Sequence, residues 1–181
     1  MKKFSLFILL TMLAMVSRAD VVVADSSDCR LTIKVLPTED VTKIPIQVSM
    51  TNSVPMTCVQ CYLSTPDTTD LFFYTGENRG VAFTPSDRWA SQHHTMFSWG
   101  TKKHPFAMMA LVVSTLSENF KGTDGPLFKV YFDGSKLADG SYSIKMQDAN
   151  MVWTDRRKIT TYLTPDAEAP FSIQDGKLVV E

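Results

Sequence analysis

Hydrophobic and polar residues alternate along several short stretches of the chain. The pattern is clear in residues 31–35, 44–50, 127–132 and 141–146, and it returns weakly in residues 171–174. Successive side chains of a β-strand point to opposite faces, so an alternation of period two indicates a strand with one buried face. These five stretches are therefore predicted to be β-strands.

Turn signals separate the predicted strands. Segments rich in proline, glycine, asparagine and aspartate lie between them, with almost no convincing helical stripe. Short strands at this spacing indicate an all-β fold, an antiparallel two-sheet sandwich. Residues 106–113, FAMMALVV, are apolar at both alternating sets of positions. They are predicted to form a central strand covered on both faces, with a buried helical turn as the competing interpretation.

The polar run before residues 127–132 has the composition of a turn. It contains two glycines, Gly122 and Gly125, with two acidic residues and a lysine. Glycine adopts the positive φ angles that tight turns need, so the run is predicted to connect two strands. A calcium loop needs more oxygen ligands at regular spacing, and a phosphate cradle needs a following helix. Neither kind of site is therefore predicted here.

The chain begins with the pattern of a secretory signal peptide. Two lysines precede a mainly apolar run over residues 4–16, and small residues follow. A transmembrane anchor is disfavoured because this run is shorter than the roughly 20 residues that a bilayer core requires. The expected organisation is a signal peptide, 1–24, and a single domain, 25–181. The mature chain should have no membrane span and should be exported to the periplasm, the outer cell surface or the medium.

Two cleavage positions fit the small-residue preference of signal processing. One follows Ala19 and the other follows Ala24. Lipid attachment at Cys29 is not expected, because Asp28 precedes it where that processing requires a small residue.

The charge balance argues against a nucleic-acid partner. Lysine and arginine number 18 and aspartate and glutamate 19, which gives a formal net charge of −1. The longest basic run is residues 156–158, so no extended basic footprint is present. The 44% hydrophobic content fits one globular domain with an adequate core.

Three longer stretches resemble the cohesin-like modules of exported proteins. VSMTNSVPMTCVQCYLSTPD, residues 48–67, is similar to their opening hairpin. ALVVSTLSENFKGTDGPLFKVYF, residues 110–132, resembles a serine-containing strand, a phenylalanine, a glycine-aspartate-glycine turn and the strand after it. ADGSYSIKMQDANMVWTD, residues 138–155, resembles the hairpin that follows. The resemblance is strongest for surface-associated proteins of gut Bacteroidetes.

This resemblance implies a cohesin-like or immunoglobulin-like jelly roll with a binding role. It implies that Phe120 is a buried plug and that Asp124 and Gly125 form a tight bend, and it carries over no catalytic residue. The chain departs from the family pattern at Cys61, where phenylalanine is common. It also departs in residues 86–100, which are unusually rich in aromatic residues and histidine.

The three cysteines leave an odd count in a chain expected to meet oxidising conditions. Cys58 and Cys61, in CVQC, are predicted to point to opposite faces of one strand, so no disulfide should join them. Cys61 is expected to be buried as a small hydrophobic residue. The only pairing that the sequence leaves open is Cys29 with Cys58, on condition that strand 31–35 lies beside the strand of Cys58.

The sequence contains no motif for catalysis. Neither GxSxG nor HExxH occurs, and a zinc site at CVQC would need two further ligands. The adjacent His93 and His94 point opposite ways on a strand, and His104 is the only other histidine. Carboxylate pairs such as Asp70 with Asp155 remain geometrically possible, but aspartates at such positions usually form turns. We therefore predict no enzyme activity, no metal and no other cofactor.

The predicted contact surface is residues 88–99, RWASQHHTMFSW. Partner-capable side chains occupy both alternating sets of positions, and only one set can face the core. If the tryptophan set is buried, a mixed polar set faces outward and suits a protein partner. If the tryptophans face outward, they form an aromatic strip suited to a polysaccharide, and a plain surface strand is the third interpretation. The mixed set contains Arg88, Gln92, His94 and Met96, and the tryptophan set contains Trp89, Phe97 and Trp99.

Overall fold

The structure, a computed structural model, describes residues 20–24, 28–64, 81–99, 107–114, 118–155 and 158–180. Within this part of the chain the regular structure is β-strand, with one short 3₁₀ turn, Val41–Lys43. The predicted all-β fold is confirmed. The strands are β1 Asp20–Ala24, β2 Arg30–Val35, β3 Ile44–Thr51, β4 Cys58–Ser64, β5 Phe83–Pro85, β6 His93–Trp99, β7 Ala107–Ser114, β8 Pro126–Phe132, β9 Gly140–Asp155, β10 Lys158–Leu163, β11 Ala167–Gln174 and β12 Lys177–Val179.

The described strands form two sheets that pack face to face. The larger sheet has the order β1-β10-β9-β4-β7-β6, and β11 with β12 extends it beside the first half of β9. The smaller sheet has the order β2-β3-β8-β5. Paired strands run antiparallel, except that β1 is parallel to β10. The predicted antiparallel two-sheet sandwich is confirmed.

The core lies between the sheets and follows the alternation in the sequence. In β3 the four alternate residues Ile44, Ile46, Val48 and Met50 are fully buried, while their neighbours are half-buried. Each fully buried large aliphatic side chain contributes about 1.5–3 kcal/mol to folding. The same alternation in β4 buries Val59, Cys61 and Leu63 from the opposite sheet.

The apolar stretch FAMMALVV forms the interior strand β7, which lies between β4 and β6. The competing helical interpretation is wrong. Met108, Ala110 and Val112 are buried in the core, as expected for one face. The prediction that both faces are covered is correct only in part, because the outward residues of β7 are half-buried.

β9 changes direction at a bulge, which divides it into two halves. Its pairing with β4 shifts register between Gln60 and Tyr62, opposite Asp148, whose φ is 46°. A bulge strengthens the local twist of a strand. The first half of β9 pairs with β11 and the second half with β10.

The loop before β8 is the predicted turn. Gly122 has φ 69° and Gly125 has φ 113°, both in the region that favours glycine. Phe120 is buried, which confirms the plug that the cohesin resemblance implies.

Strand β1 falls within the segment predicted as signal peptide, residues 1–24. It pairs with β10 along its whole length, from Asp20 to Ala24, and the residues before it lie outside the described part. Processing after Ala19 would keep this strand, whereas processing after Ala24 would remove it. Over the residues that the structure describes, no helix is long and apolar enough to cross a membrane.

Candidate functional site

The outward side of the larger sheet carries rows of uncharged side chains, with the half-buried Asp148 at the β9 bulge between two of the rows. Three rows of side chains lie in register on this side, two across strands β6, β7, β4, β9 and β10 and the third across β6, β7, β4 and β9, and we call this surface the uncharged face. The first row is His94, Val113, Cys58, Val152 and Thr161; the second is Met96, Leu111, Gln60, Asn150 and Leu163; the third is Ser98, Met109, Tyr62 and Gln147.

The uncharged face exposes apolar side chains at its two margins and half-buries them in the middle. Leu163 is 60% exposed and Met96 40% exposed, although both are large hydrophobic residues. Leu111, between them in the same row, is half-buried. Beyond the third row the surface becomes charged, with Lys145 and Glu168 exposed and paired across β9 and β11. The second row has the polar Gln60 and Asn150 on β4 and β9, so the face mixes apolar and polar side chains inside a charged rim, as protein interfaces do.

The outward side of the smaller sheet is different in kind. Arg30 and Lys34 are exposed on β2, and Lys129 is outward on β8. The two sides of the sandwich therefore offer different surfaces, one uncharged and one basic.

The cysteines do not form a redox or metal site. Cys58 lies on the uncharged face and Cys61 in the core, so the prediction of opposite faces is confirmed, as is the burial of Cys61. Burial raises the pKa of each of these two thiols to about 12, which keeps them protonated and unreactive at neutral pH. No disulfide is formed. The condition for a bond between Cys29 and Cys58 is not met, because β2 and β4 belong to different sheets.

Arg88 is not on the surface, and its predicted outward position is wrong. The strand begins only at His93, because residues 86–92 form turns in which Trp89 N donates to Ser86 O and His93 N to Ala90 O. The alternation assumed for a strand therefore does not apply to Arg88. Its side chain is 6% exposed.

The Arg88 guanidinium is enclosed by oxygen acceptors. Its Nε donates to Lys121 O at 2.7 Å, Nη1 to Met50 O at 2.6 Å and to Gly125 O at 3.1 Å. Nη2 donates to Asn52 Oδ1 at 2.7 Å and to Gly122 O at 3.1 Å. All five N–H groups of the guanidinium thus have partners. Burial lowers the Arg88 pKa, against the opposing effect of nearby acidic side chains, and an arginine remains charged at neutral pH.

The remaining predicted contact residues occupy different places. His94 and Met96 are exposed on the uncharged face, and Gln92 is half-buried in the turn before β6. Trp89 packs against the core, and its Nε1 donates to Leu127 O at 2.8 Å. Trp99 pairs with Met108 through its backbone, and its side chain lies outside the described part.

His93 is a buried titratable group beside the loop that encloses Arg88. It is 6% exposed, stacks on Phe120 at 4.0 Å between ring centroids, and accepts a hydrogen bond from Ala90 N through Nδ1 at 2.9 Å. Burial lowers its pKa, and the charge of His94 acts in the same direction. The backbone of Ala90 and the carboxylate of Glu118 oppose the shift.

The stability of the domain should decrease as the pH falls below about 6.5, the usual histidine pKa. The folded-state pKa of His93 is lower than this, so the unfolded chain takes up the proton first. Neutral His93 therefore stabilises the fold fully above about pH 6.5, and this stabilisation is lost as the pH falls from 6.5 to the lower folded-state pKa. Urea unfolding of the His93→Gln variant should show a smaller loss between neutral and acidic pH.

The matched control for this measurement is His94→Gln, which removes the adjacent, exposed imidazole. It should retain most of the pH dependence of the parent protein, because burial is the largest cause of the lowered His93 pKa and His94 the smallest. Equal pH dependence in the parent protein and His93→Gln would show that His93 does not cause it.

Within the described residues, no three histidine, cysteine, aspartate or glutamate side chains come together as a metal site would require. Asp70, Tyr74 and His104 lie outside this part of the chain.

Part of the uncharged face was visible in the sequence as an apolar pattern, but the prediction interpreted that pattern as a covered strand. Met109, Leu111 and Val113 are the second apolar set of FAMMALVV, and the prediction placed them under a covering layer. They lie instead on the open surface of the sheet, on the strand β7 between β4 and β6. An apolar set on both faces of a strand fits a central strand and a binding strand equally well.

Comparison with known proteins finds similarity in structure but not in sequence. No protein-family model matches, and no curated protein matches. The seventh ScaB type I cohesin of Pseudobacteroides cellulosolvens superposes with a TM-score of 0.55 at 13% identity, over 78% of this chain and 90% of that one.

Two further cohesin structures give the same result. The Coh-OlpA–Doc918 cohesin–dockerin complex of Clostridium thermocellum has a TM-score of 0.55 at 11% identity, over 79% of this chain and 98% of the other. The sixth scaffoldin B cohesin of Acetivibrio cellulolyticus, in complex with a Cel5 dockerin mutant, has a TM-score of 0.52 at 10% identity, over 79% and 98%. The fold is a cohesin-like β-sandwich.

Proposed function

We propose that this protein is an exported, non-catalytic binding module whose uncharged face binds a small folded protein domain. The observation that carries the proposal is the set of three rows, two across five strands and one across four, in which no residue is charged. Met96 and the outward apolar residues of β7 lie side by side within these rows, and contiguous apolar side chains on the surface of a soluble protein mark interaction sites.

The geometry of the uncharged face suits a rigid protein contact. Its side chains project from paired strands of a sheet, so little conformational entropy is lost when a partner binds. His94 and Met96, two of the contact residues predicted from the sequence, lie at its β6 margin. Leu163 supplies an exposed apolar side chain at the opposite margin. The similar cohesins of C. thermocellum and A. cellulolyticus are seen with dockerins, which supports a small protein domain as the partner class.

The candidate stacking residues whose side chains the structure describes do not support a polysaccharide bound by aromatic stacking. Trp89 and Trp153 pack against the core, and Phe97 does the same. A stacking platform needs exposed aromatic rings.

We propose export through signal cleavage after Ala19. β1 pairs with β10 from Asp20 onward, and cleavage after Ala24 would remove this strand from the sheet. The resemblance to surface-associated proteins of Bacteroidetes supports the cell surface as the destination.

The proposal is tested by placing a charge in the centre of the uncharged face. The mature domain is immobilised, candidate partners are captured from the surface fraction of the source organism, and each is purified for a direct Kd measurement. Leu111→Glu should weaken the Kd by at least about tenfold, because the interface would bury an unpaired carboxylate.

The control is Thr32→Glu, which adds the same charge to an exposed position of the smaller sheet. It should leave the Kd unchanged, and both variants should keep the parent melting temperature within a few degrees. Equal partner binding by Leu111→Glu and the parent would contradict the proposal. Turnover of a glycan or peptide by the purified domain would contradict its non-catalytic part.

A further inference from the structure

The outward side of the smaller sheet forms a second surface, independent of the proposed protein contact. One row of side chains crosses all four strands in register: Lys34 on β2, Gln47 on β3, Lys129 on β8 and Thr84 on β5. Every member of the row is a hydrogen-bonding side chain. We call this surface, with the residues beside the row, the basic face.

Positive charge on the basic face is not balanced within the sheet. Arg30 and Lys34 are exposed on β2, and Lys43 places its Nζ 4.9 Å from the ring centroid of Tyr131, which is outward on β8. Strands β2, β3, β5 and β8 contain no aspartate or glutamate. In the described part of the chain, no ion pair involves Arg30, Lys34 or Lys129.

Three acidic side chains border the basic face: Glu168 of β11, which lines a small cavity together with Lys34, and Asp124 and Asp40 of the loops. Asp124 accepts a hydrogen bond from the Thr51 hydroxyl at 2.6 Å, at the end of β3. Asp40 accepts from Thr42, both from its backbone N and from its hydroxyl, at the 3₁₀ turn. These carboxylates border the basic face, and its centre keeps a net positive charge.

The cations of the basic face lie too far apart to bind a single anionic group, and their spacing suits a ligand with several anionic groups. Lys34 and Lys129 flank β3, and strands two places apart in a sheet are separated by roughly 10 Å. Arg30 and Lys34 lie on the same side of β2, roughly 13 Å apart along the strand. At physiological ionic strength such distances exceed the screening length of about 8 Å, so each cation attracts its own counter-charge.

We propose that the basic face binds an anionic polysaccharide, a hydroxyl-rich chain that carries a repeating carboxylate or phosphate. Gln47, Ser49 and Thr84 lie among the cations and can hydrogen-bond to sugar hydroxyls. The contact is electrostatic and polar, and it does not use aromatic stacking. Charge complementarity identifies the class of ligand.

A folded protein fits the basic face less well because the surface has no apolar anchor. Protein interfaces usually centre on buried aromatic or aliphatic side chains. The one aromatic ring on the face, that of Tyr131, lies beneath the Lys43 ammonium, and its hydroxyl is 2.8 Å from Thr84 Oγ1.

The test uses oligomers of polygalacturonate, a carboxylate polysaccharide, and neutral dextran of matched length. The mature domain should bind polygalacturonate, with a Kd that weakens as sodium chloride increases, and should not bind dextran. Lys34→Gln combined with Lys129→Gln should weaken the Kd about tenfold, because each exposed ion pair contributes at most about a factor of five.

The matched control is Lys145→Gln, which removes one exposed cation at the rim of the larger sheet. It should leave the Kd for polygalacturonate unchanged. The proposal is overturned if the domain does not bind polygalacturonate, if dextran binds equally well, or if Lys145→Gln weakens binding as much as the double variant. Tighter binding of a short DNA duplex would overturn the assignment to a polysaccharide. None of these results depends on the uncharged face.

Discussion

Replacing Arg88 with alanine should lower the free energy of unfolding by about 3 to 5 kcal/mol. The change removes the Arg88 donors from five oxygen acceptors, four of them main-chain carbonyls, and of these the Gly125 carbonyl still accepts from Met50 N. A buried acceptor left unsatisfied costs about 1–3 kcal/mol, and water entering the space recovers part of that cost. Urea unfolding at neutral pH, followed by circular dichroism, measures the difference.

Two further variants separate hydrogen bonding from charge and from location. Arg88→Lys keeps the positive charge, but a lysine has three N–H donors and the site has acceptors for five. The variant should therefore show a large part of the same decrease in the free energy of unfolding. Lys121→Ala removes an exposed basic side chain while its backbone still accepts from Arg88, and it should change stability by less than about 0.5 kcal/mol. If Arg88→Ala were as mild as Lys121→Ala, the enclosure of Arg88 would not stabilise the fold.

Because Arg88 is buried, not every residue of the predicted contact surface, residues 88–99, can be replaced to test binding without affecting stability. A triple replacement of Arg88, Gln92 and His94 by alanine would be a clean surface variant if all three faced outward. The structure predicts instead that its melting temperature falls because of Arg88. A loss of binding in that variant would therefore report unfolding, and His94 with Met96 should be tested alone.

The fold was predictable because one face of most strands is buried. In β2 and β8 the alternation of apolar and polar residues matches the alternation of core and solvent. The turn before β8 was predictable for a local reason, since Gly122 and Gly125 are needed at positive φ. Strand periodicity and turn glycines depend only on residues close together in the sequence, so a local sequence pattern is enough to predict them.

The position of Arg88 was not predictable in the same way. Its acceptors come from β3 and from the loop before β8, more than 30 residues away in sequence. An arginine satisfied by distant carbonyls leaves no local pattern, and in RWASQHHTMFSW it resembles a surface residue. The nearby Pro85 and Ser86 were the only local hint that a strand had not yet begun.

The uncharged face was predictable in part. The sequence left open which alternating set of residues 88–99 faces outward, and the structure exposes His94 and Met96. Leu111 and Val113 were read as covered because an apolar residue is more often buried than exposed. Only the order of strands, with β7 between β6 and β4, shows that these side chains share one open surface.

Replacing Gly125 with valine should destabilise the domain by about 1–3 kcal/mol. The φ of Gly125 is 113°, which a β-branched residue strongly resists. A Cβ built there meets nothing within 4 Å, so the cost is backbone strain and not a steric clash with neighbours. Asp124→Asn is the control, because an amide oxygen can still accept from the Thr51 hydroxyl. Urea unfolding of both variants, with and without calcium, makes the comparison.

The effect of Gly125→Val should also be coupled to Arg88. The carbonyl of Gly125 accepts from Met50 N at 3.0 Å and from Arg88 Nη1 at 3.1 Å, so a shifted backbone weakens the contact that Arg88→Ala removes. The double variant should therefore lose less than the sum of the single losses, by at least about 0.5 kcal/mol. Strict additivity would show that the turn and the guanidinium stabilise the fold separately. A calcium-dependent rise in melting temperature that Asp124→Asn abolished would instead identify the turn as a metal site.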